Sequence, residues 1–294
     1  MFKRVLVPLD GSALSERVLP IAECLAEYFD SSIELIYVVP TVPENIPEGM
    51  TSQAHEEGEA YLKGMVDTLS AKKAVGKVSA SVLKGYPASM IIEHAESQDD
   101  TLILMSTHGY SGVQRLLLGS VAGKVVQATK TPVLLVPAGA RNPKGDLVEF
   151  ERLIVPLDGS ELAESILPYA VNLCKTLDME LILARSYHPN FPGTSIRMHD
   201  VSKIVHDSAE NYIKDKAEQL RKEGLKNVSY KVMKGLAAEQ ITDLAIETPN
   251  SVTALCSHGR HGISRWMLGS VANAVIHCSE EPVLVIRNTN RDTK

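Results

Sequence analysis

The sequence predicts a doubly wound α/β fold, built twice in tandem. Three observations carry that expectation. A block of residues near the start returns near the middle: Val5-Leu6-Val7-Pro8-Leu9-Asp10-Gly11-Ser12 reappears as Leu153-Ile154-Val155-Pro156-Leu157-Asp158-Gly159-Ser160. Within each half, short apolar runs alternate with longer amphipathic stretches, the pattern of β-α-β units with right-handed crossovers. The first, second, fourth and fifth of these apolar runs are near-continuous in Val, Ile and Leu rather than alternating, as in parallel strands covered by helices on both faces.

The repeat sets the domain organisation. Pro8 and Pro156 stand 148 residues apart, as do Pro20 and Pro168. Lys84-Gly85 and Lys234-Gly235, His108-Gly109 and His258-Gly259, and Leu118-Gly119-Ser120-Val121-Ala122 and Leu268-Gly269-Ser270-Val271-Ala272 stand 150 apart. Pro132-Val133-Leu134 returns as Pro282-Val283-Leu284. A spacing this long marks a duplicated domain rather than a solenoid. The predicted domains are 1–140 and 150–294, with the Gly-, Pro- and polar-rich stretch from Ala138 to Asp146 as the seam.

In the first half the predicted strands are Arg4–Val7, Ile33–Val39, Val78–Leu83, Thr101–Met105 and Val133–Val136. The predicted helices are Ser12–Phe29, His55–Leu69, Ala88–Glu96 and Ser120–Thr129. Leu14, Val18, Ile21, Ala22 and Leu25 fall near helical spacing on the first of these. The second half repeats the order.

The bulk composition narrows the classes. The 294 residues are 44% hydrophobic and 22% charged, with a formal net charge of −6, as in a globular protein. No block of like charge suggests a nucleic-acid partner. No run approaches the ~18 apolar residues of a membrane span, and the apolar start is cut short by Asp10, too early for a signal-peptide core. Cys24, Cys174, Cys256 and Cys278 form no paired spacing, so they read as small buried hydrophobes in a reducing, cytoplasmic compartment.

Ligands of doubly wound sheets bind beyond the carboxyl ends of the strands, where strand order reverses. Two repeated loops follow strand ends there. The second of them runs from Ser106-Thr107-His108-Gly109 to Gly119-Ser120 at a helix start, and is matched by Cys256 to Ser270. Glycine lets backbone approach a phosphate, Ser120 and Ser270 read as N-caps whose hydroxyls can donate, and the first amides, Val121 and Val271 included, sit at the positive end of the helix dipole. Gly119-Ser120 and Gly269-Ser270 are therefore read as phosphate-binding, with a plain turn and cap as the alternative.

The other loop holds Asp10 and Asp158. Either could be a helix N-cap; a functional aspartate here would accept from ribose hydroxyls or hold a divalent cation such as Mg²⁺ against phosphate. His108 and His258 have no second ligand at metal spacing and read better as packing or hydrogen-bonding loop residues than as bases. Arg115 and Arg265, inside the phosphate loops, read equally as phosphate contacts or solvated side chains. His199 and His206 read as exposed histidines, and Glu56, Glu57 and Glu59 as a solvated helix face. No Walker-type phosphate loop, G-x-G-x-x-G fingerprint, nucleophile elbow or H-E-x-x-H motif occurs.

On these residues the chain resembles the universal stress protein family in its tandem form, over nearly its whole length. The resemblance rests on Val-Pro-Leu-Asp-Gly-Ser, on Pro-Val-Leu-x-Val, and on the G-x-x-G-x₉-G-[ST] pattern, met here as Ser106-x-x-Gly109-x₉-Gly119-Ser120 and Cys256-x-x-Gly259-x₉-Gly269-Ser270. Both copies depart from it at the first glycine. The resemblance implies Rossmann-like sheets in the order 3-2-1-4-5, pairing through the last strands, and an ATP, ADP or AMP site. It also implies that Asp10 and Asp158 meet the nucleotide and that the Val38 backbone contacts adenine, with Ala184 as its second-half counterpart.

Three functions compete: a nucleotide-binding regulatory module with little or no turnover, a slow ATPase or other enzyme of the same fold, and an interaction scaffold whose sites have decayed. The first is preferred, because no positioned base, nucleophile or metal set is visible. The two halves are expected to form an intramolecular pseudo-dimer that buries the apolar edges Val133–Val136 and Val283–Ile286; a homodimer also stands open.

Overall fold

Arg4–Leu9 forms strand β1, and the chain then turns sharply through Gly11, at φ +80°, into helix α1, Ala13–Glu16. The computed structural model describes residues 1–41, 48–72, 76–107, 118–140, 150–188, 198–257 and 268–287. The chain divides into two compact units, Met1–Val148 and Glu149–Lys294.

The first unit continues with α2 (Leu19–Phe29), β2 (Ser32–Pro40), α3 (Glu48–Ser70), β3 (Val78–Gly85), α4 (Pro87–Glu96), β4 (Thr101–Ser106), α5 (Ser120–Ala128) and β5 (Val133–Val136). Its strands pair in parallel, in the order β3-β2-β1-β4-β5. The second unit repeats it: β6 (Arg152–Pro156), α6 (Glu161–Glu164), α7 (Leu167–Leu177), β7 (Glu180–Tyr187), α8 (Met198–Lys222), β8 (Val228–Lys234), α9 (Ala237–Glu247), β9 (Ser251–Cys256), α10 (Ser270–Cys278) and β10 (Val283–Ile286). Its order is β8-β7-β6-β9-β10. This is the doubly wound fold, with the switch point of each sheet between its first and fourth strands.

The expected single helix Ser12–Phe29 is two helices. Pro20 has no N–H to continue the ladder, so it begins a new helix in its first turn, and Arg17-Val18 form the joint. Pro168 does the same in the second unit. Helix α3 starts at Glu48, earlier than hydrophobic spacing indicates, because its first turns carry few apolar residues.

Strands β1 and β4 are buried almost throughout. Strand β2 is not: Glu34, Tyr37 and Val38 are half-buried. Glu34 joins a polar cluster at the amino end of the sheet. Arg4 Nη1 donates to Glu34 Oε2 at 2.8 Å, His94 Nε2 stands 2.7 Å from Glu34 Oε1, and Arg4 Nε donates to Thr101 at 3.0 Å. Burial raises the Glu34 carboxyl, but the hydrogen bonds from His94 and Arg4 outweigh it and hold the group below its ordinary value. In the second unit the matched positions are Ile182 and Leu244, which pack together in an apolar cluster with Ile154.

The cysteines do not share one environment. Cys174 is buried and Cys24 half-buried, and burial pushes their thiols up to about 12 and about 11. Cys256 is half-buried and Cys278 exposed, contrary to the expectation of buried hydrophobes. Among the described residues no helix is long and apolar enough to cross a membrane.

Candidate functional site

The carboxyl ends of β1 and β4 bring two loops together. After β1, Asp10 Oδ1 accepts from Ser12 N at 3.0 Å and from Ser12 Oγ at 2.6 Å. Ser12 in turn caps α1, accepting from Ser15 N at 3.1 Å. The N-cap is therefore Ser12, not Asp10, and the carboxylate orients the cap from outside the helix. Asp158 and Ser160 repeat this, at 2.9 Å to N and 2.5 Å to Oγ.

After β4, Thr107 N donates to Val136 O and Thr107 O accepts from Gly119 N at 2.8 Å. That second bond clamps the start of α5 to the end of its own strand. Ser257 and Gly269 form the same clamp at 2.6 Å before α10. The N-caps are Gly119 and Gly269, so Ser120 and Ser270 are the first helical residues rather than caps. Neither cap has a side-chain hydrogen bond to the helix. The amides of Ser120, Val121 and Ala122 lie in the first helical turn, where no preceding helical carbonyl is available, and the dipole favours an anion there. Gly119 has φ −57° and Gly269 φ −59°, angles any residue adopts, so glycine is not required there by backbone strain. Ser106 ends β4 in a buried position. His108, Gly109, Arg115, His258, Gly259 and Arg265 lie outside the described residues.

Val38 stands past the last β1–β2 pair, Leu9 with Tyr37. Backbone groups along a parallel strand serve its two neighbours alternately. Ser32 N bonds Lys3 O on the β1 side and Ile33 N bonds Lys77 O on the β3 side, so Val38 has the parity of Ser32. Its carbonyl edge faces past the end of β1, into the crevice. The expected counterpart Ala184 is displaced by the register: Ala184 pairs Pro156 as Ile36 pairs Pro8, which makes Ser186 the counterpart of Val38. The offset is still 148 along this strand and becomes 150 only by β3 and β8, so the second unit's two extra residues fall after the strand.

One constellation was not read from sequence. Tyr61 of α3 donates to Glu16 of α1 at 2.9 Å, and Tyr212 of α8 donates to Glu164 of α6 at 2.7 Å. Burial pushes both phenols up; the glutamate bonds add to this, as do the Asp10 and Asp158 charges. Each Tyr–Glu pair thus stands near the aspartate of its unit. Its sequence signal is the recurrence of Glu16 as Glu164 and Tyr61 as Tyr212. Among the described residues, His206, Asp207 and Glu210 lie close enough to share an ion, but they form a solvent-facing ion-pair set on one helix.

The universal stress protein family model matches residues 1–137 and 149–287. A universal stress protein of Methanocaldococcus jannaschii is 36% identical over 142 residues, covering 46% of this chain and 82% of that protein. A tandem relative from Mycobacterium tuberculosis is 24% identical over 304 residues, covering 97% of each chain. The crystal structure of a universal stress protein from Archaeoglobus fulgidus superposes with a TM-score of 0.74 at 23% identity, covering 97% of this chain and 98% of that one.

Proposed function

The chain belongs to the universal stress protein family, with two of its domains in tandem, and from that premise we propose that it binds ATP or a related adenine nucleotide as a regulatory module with negligible turnover. The observation that supports this most is the repeated clamp of an uncapped helix N-terminus to the end of the fourth strand, beside the aspartate loop of the first. Phosphate meets the α5 and α10 amides, and the base reaches the backbone edge of Val38 or Ser186. His108, Gly109, Arg115 and their counterparts His258, Gly259 and Arg265 belong to the same loops in sequence and are proposed to take part in nucleotide binding.

Asp10 supplies an oxygen donor with one oxygen already engaged by Ser12. That set fits a divalent cation shared with phosphate and water, not an all-protein cage. In this reading Asp10 faces the phosphates through Mg²⁺, which offsets the repulsion between carboxylate and phosphate. The test is mass spectrometry of nucleotide released from freshly purified protein, with thermal melting in added ATP. An adenine nucleotide in the extract, or a raised melting temperature with ATP, supports the proposal. An empty protein that ATP does not stabilise overturns it.

A further inference from the structure

The two units match in backbone but differ in charge beside the aspartate. Strand β2 places Tyr37 next to the crevice, opposite Leu9. Strand β7 places Arg185 at the equivalent register position, one residue past Ala184, the partner of Pro156. Arg185 Nη1 donates to Leu157 O at 3.2 Å, the carbonyl just before Asp158. Its Cζ lies 4.8 Å from the centre of the Tyr212 ring, which holds the guanidinium plane by cation–π attraction. Tyr212 is close enough to both Arg185 and Asp158 for each charge to act on its phenol. Lys216 adds a second cation, bonded to Glu164 at 2.8 Å.

The helix wall follows the exchange. Tyr37 is accommodated by Gly58, whose added Cβ would lie 2.9 Å from the ring; the matched position, three residues before Tyr212 as Gly58 is before Tyr61, holds the buried Ala209. The difference is built into two elements rather than one side chain.

We propose that Arg185 makes the second unit's site independent of divalent metal, its guanidinium balancing the Asp158 carboxylate against the phosphates, while the first unit, with Tyr37 in that place, needs the cation. The inference rests on the nucleotide reading above. A fixed guanidinium beside a carboxylate removes the like-charge repulsion that a bare carboxylate presents to a polyphosphate, and it can donate to phosphate itself.

The test uses the full chain with one site silenced at a time. ATP is titrated into Gly119→Val, which reports the second unit, and into Gly269→Val, which reports the first, each in Mg²⁺ and in EDTA. The expected Kd of the second unit changes less than about threefold between buffers, while the first weakens about tenfold or more in EDTA. Arg185→Tyr in the Gly119→Val chain should confer metal dependence, and Arg185→Lys, which keeps the charge, should not. Equal metal dependence in both units, or an Arg185→Tyr chain that still binds equally in both buffers, overturns the inference alone. No binding by either chain in either buffer overturns the nucleotide reading and this inference together.

Discussion

Asp10 and Asp158 share one local geometry, a carboxylate oxygen held by the serine two residues on, and the role of that carboxylate is open to a direct test. If Asp10 meets phosphate through Mg²⁺, Asp10→Asn loses a charge-assisted contact of about 1.5–3 kcal/mol, roughly ten- to hundredfold in affinity. The loss should appear with Mg²⁺ and vanish, or reverse, in EDTA. An equal loss in both buffers would place Asp10 on the ribose instead. At the other end of the sheet, Glu34 makes a pH prediction. Its folded pKa is depressed, so its contribution is full above the unfolded value and fades as pH falls through the folded one. Glu34→Gln should cost about 2–3 kcal/mol at neutral pH, less than a fully buried pair because the side chain keeps 14% exposure. In thermal melts the gap to wild type should narrow on acidification below the ordinary carboxylate range. The double change Glu34→Ile with His94→Leu copies the second unit's apolar pair and should cost less than the sum of its single changes. A gap that is constant with pH would assign Glu34 no such role.

Helix α3 lies against β2 through Gly58 and Tyr37, and Tyr37 meets Tyr61 edge to face at 6.0 Å. A glycine-to-alanine change inside a helix ordinarily gains up to about 1 kcal/mol. Here the new methyl meets ring carbon at 2.9 Å, and overpacking of that kind costs about 1–3 kcal/mol, so the clash wins. Gly58→Ala should lower the melting temperature, and adding Tyr37→Ala should relieve part of that cost; an unchanged or raised melting temperature for Gly58→Ala would contradict the packing. The strands were legible as apolar runs, and burial follows them in β1, β4 and β5; Glu34 and the crevice interrupt it in β2, and the outer strand β3 has no fully buried residue. The joint at Arg17-Val18 was not legible, since Pro20 is equally at home at a helix start and the apolar spacing runs on across it. The Tyr61–Glu16 bond joins residues 45 apart, which no local period can reveal.

Across the whole molecule the duplication was the clearest feature of the sequence, because identical turn residues recur where backbone geometry demands them: Gly11 and Gly159 at φ +80° and +78°, Gly85 and Gly235 at φ +155° and +149°. The inequality of the units was harder to see, since Tyr37 and Arg185 lie in strands otherwise alike. Each unit ends its sheet on a short apolar strand, Val-Leu-Leu-Val in β5 and Val-Leu-Val-Ile in β10. A bare edge of that kind seeks a partner, so residues 1–148 expressed alone should self-associate in sedimentation at micromolar concentration; a strictly monomeric fragment would contradict that. The central claim, nucleotide at the two helix starts, is tested most directly by calorimetric titration of ATP into the full chain and into Gly119→Val with Gly269→Val. The account predicts saturable binding by the wild type. For the double variant it predicts a loss of roughly 2–3 kcal/mol, about thirty- to hundredfold, from two phosphate contacts at each site, with a melting temperature close to wild type because neither glycine has a strained φ. Equal affinity of the two chains, or no binding of ATP, ADP or AMP by the wild type, would contradict it.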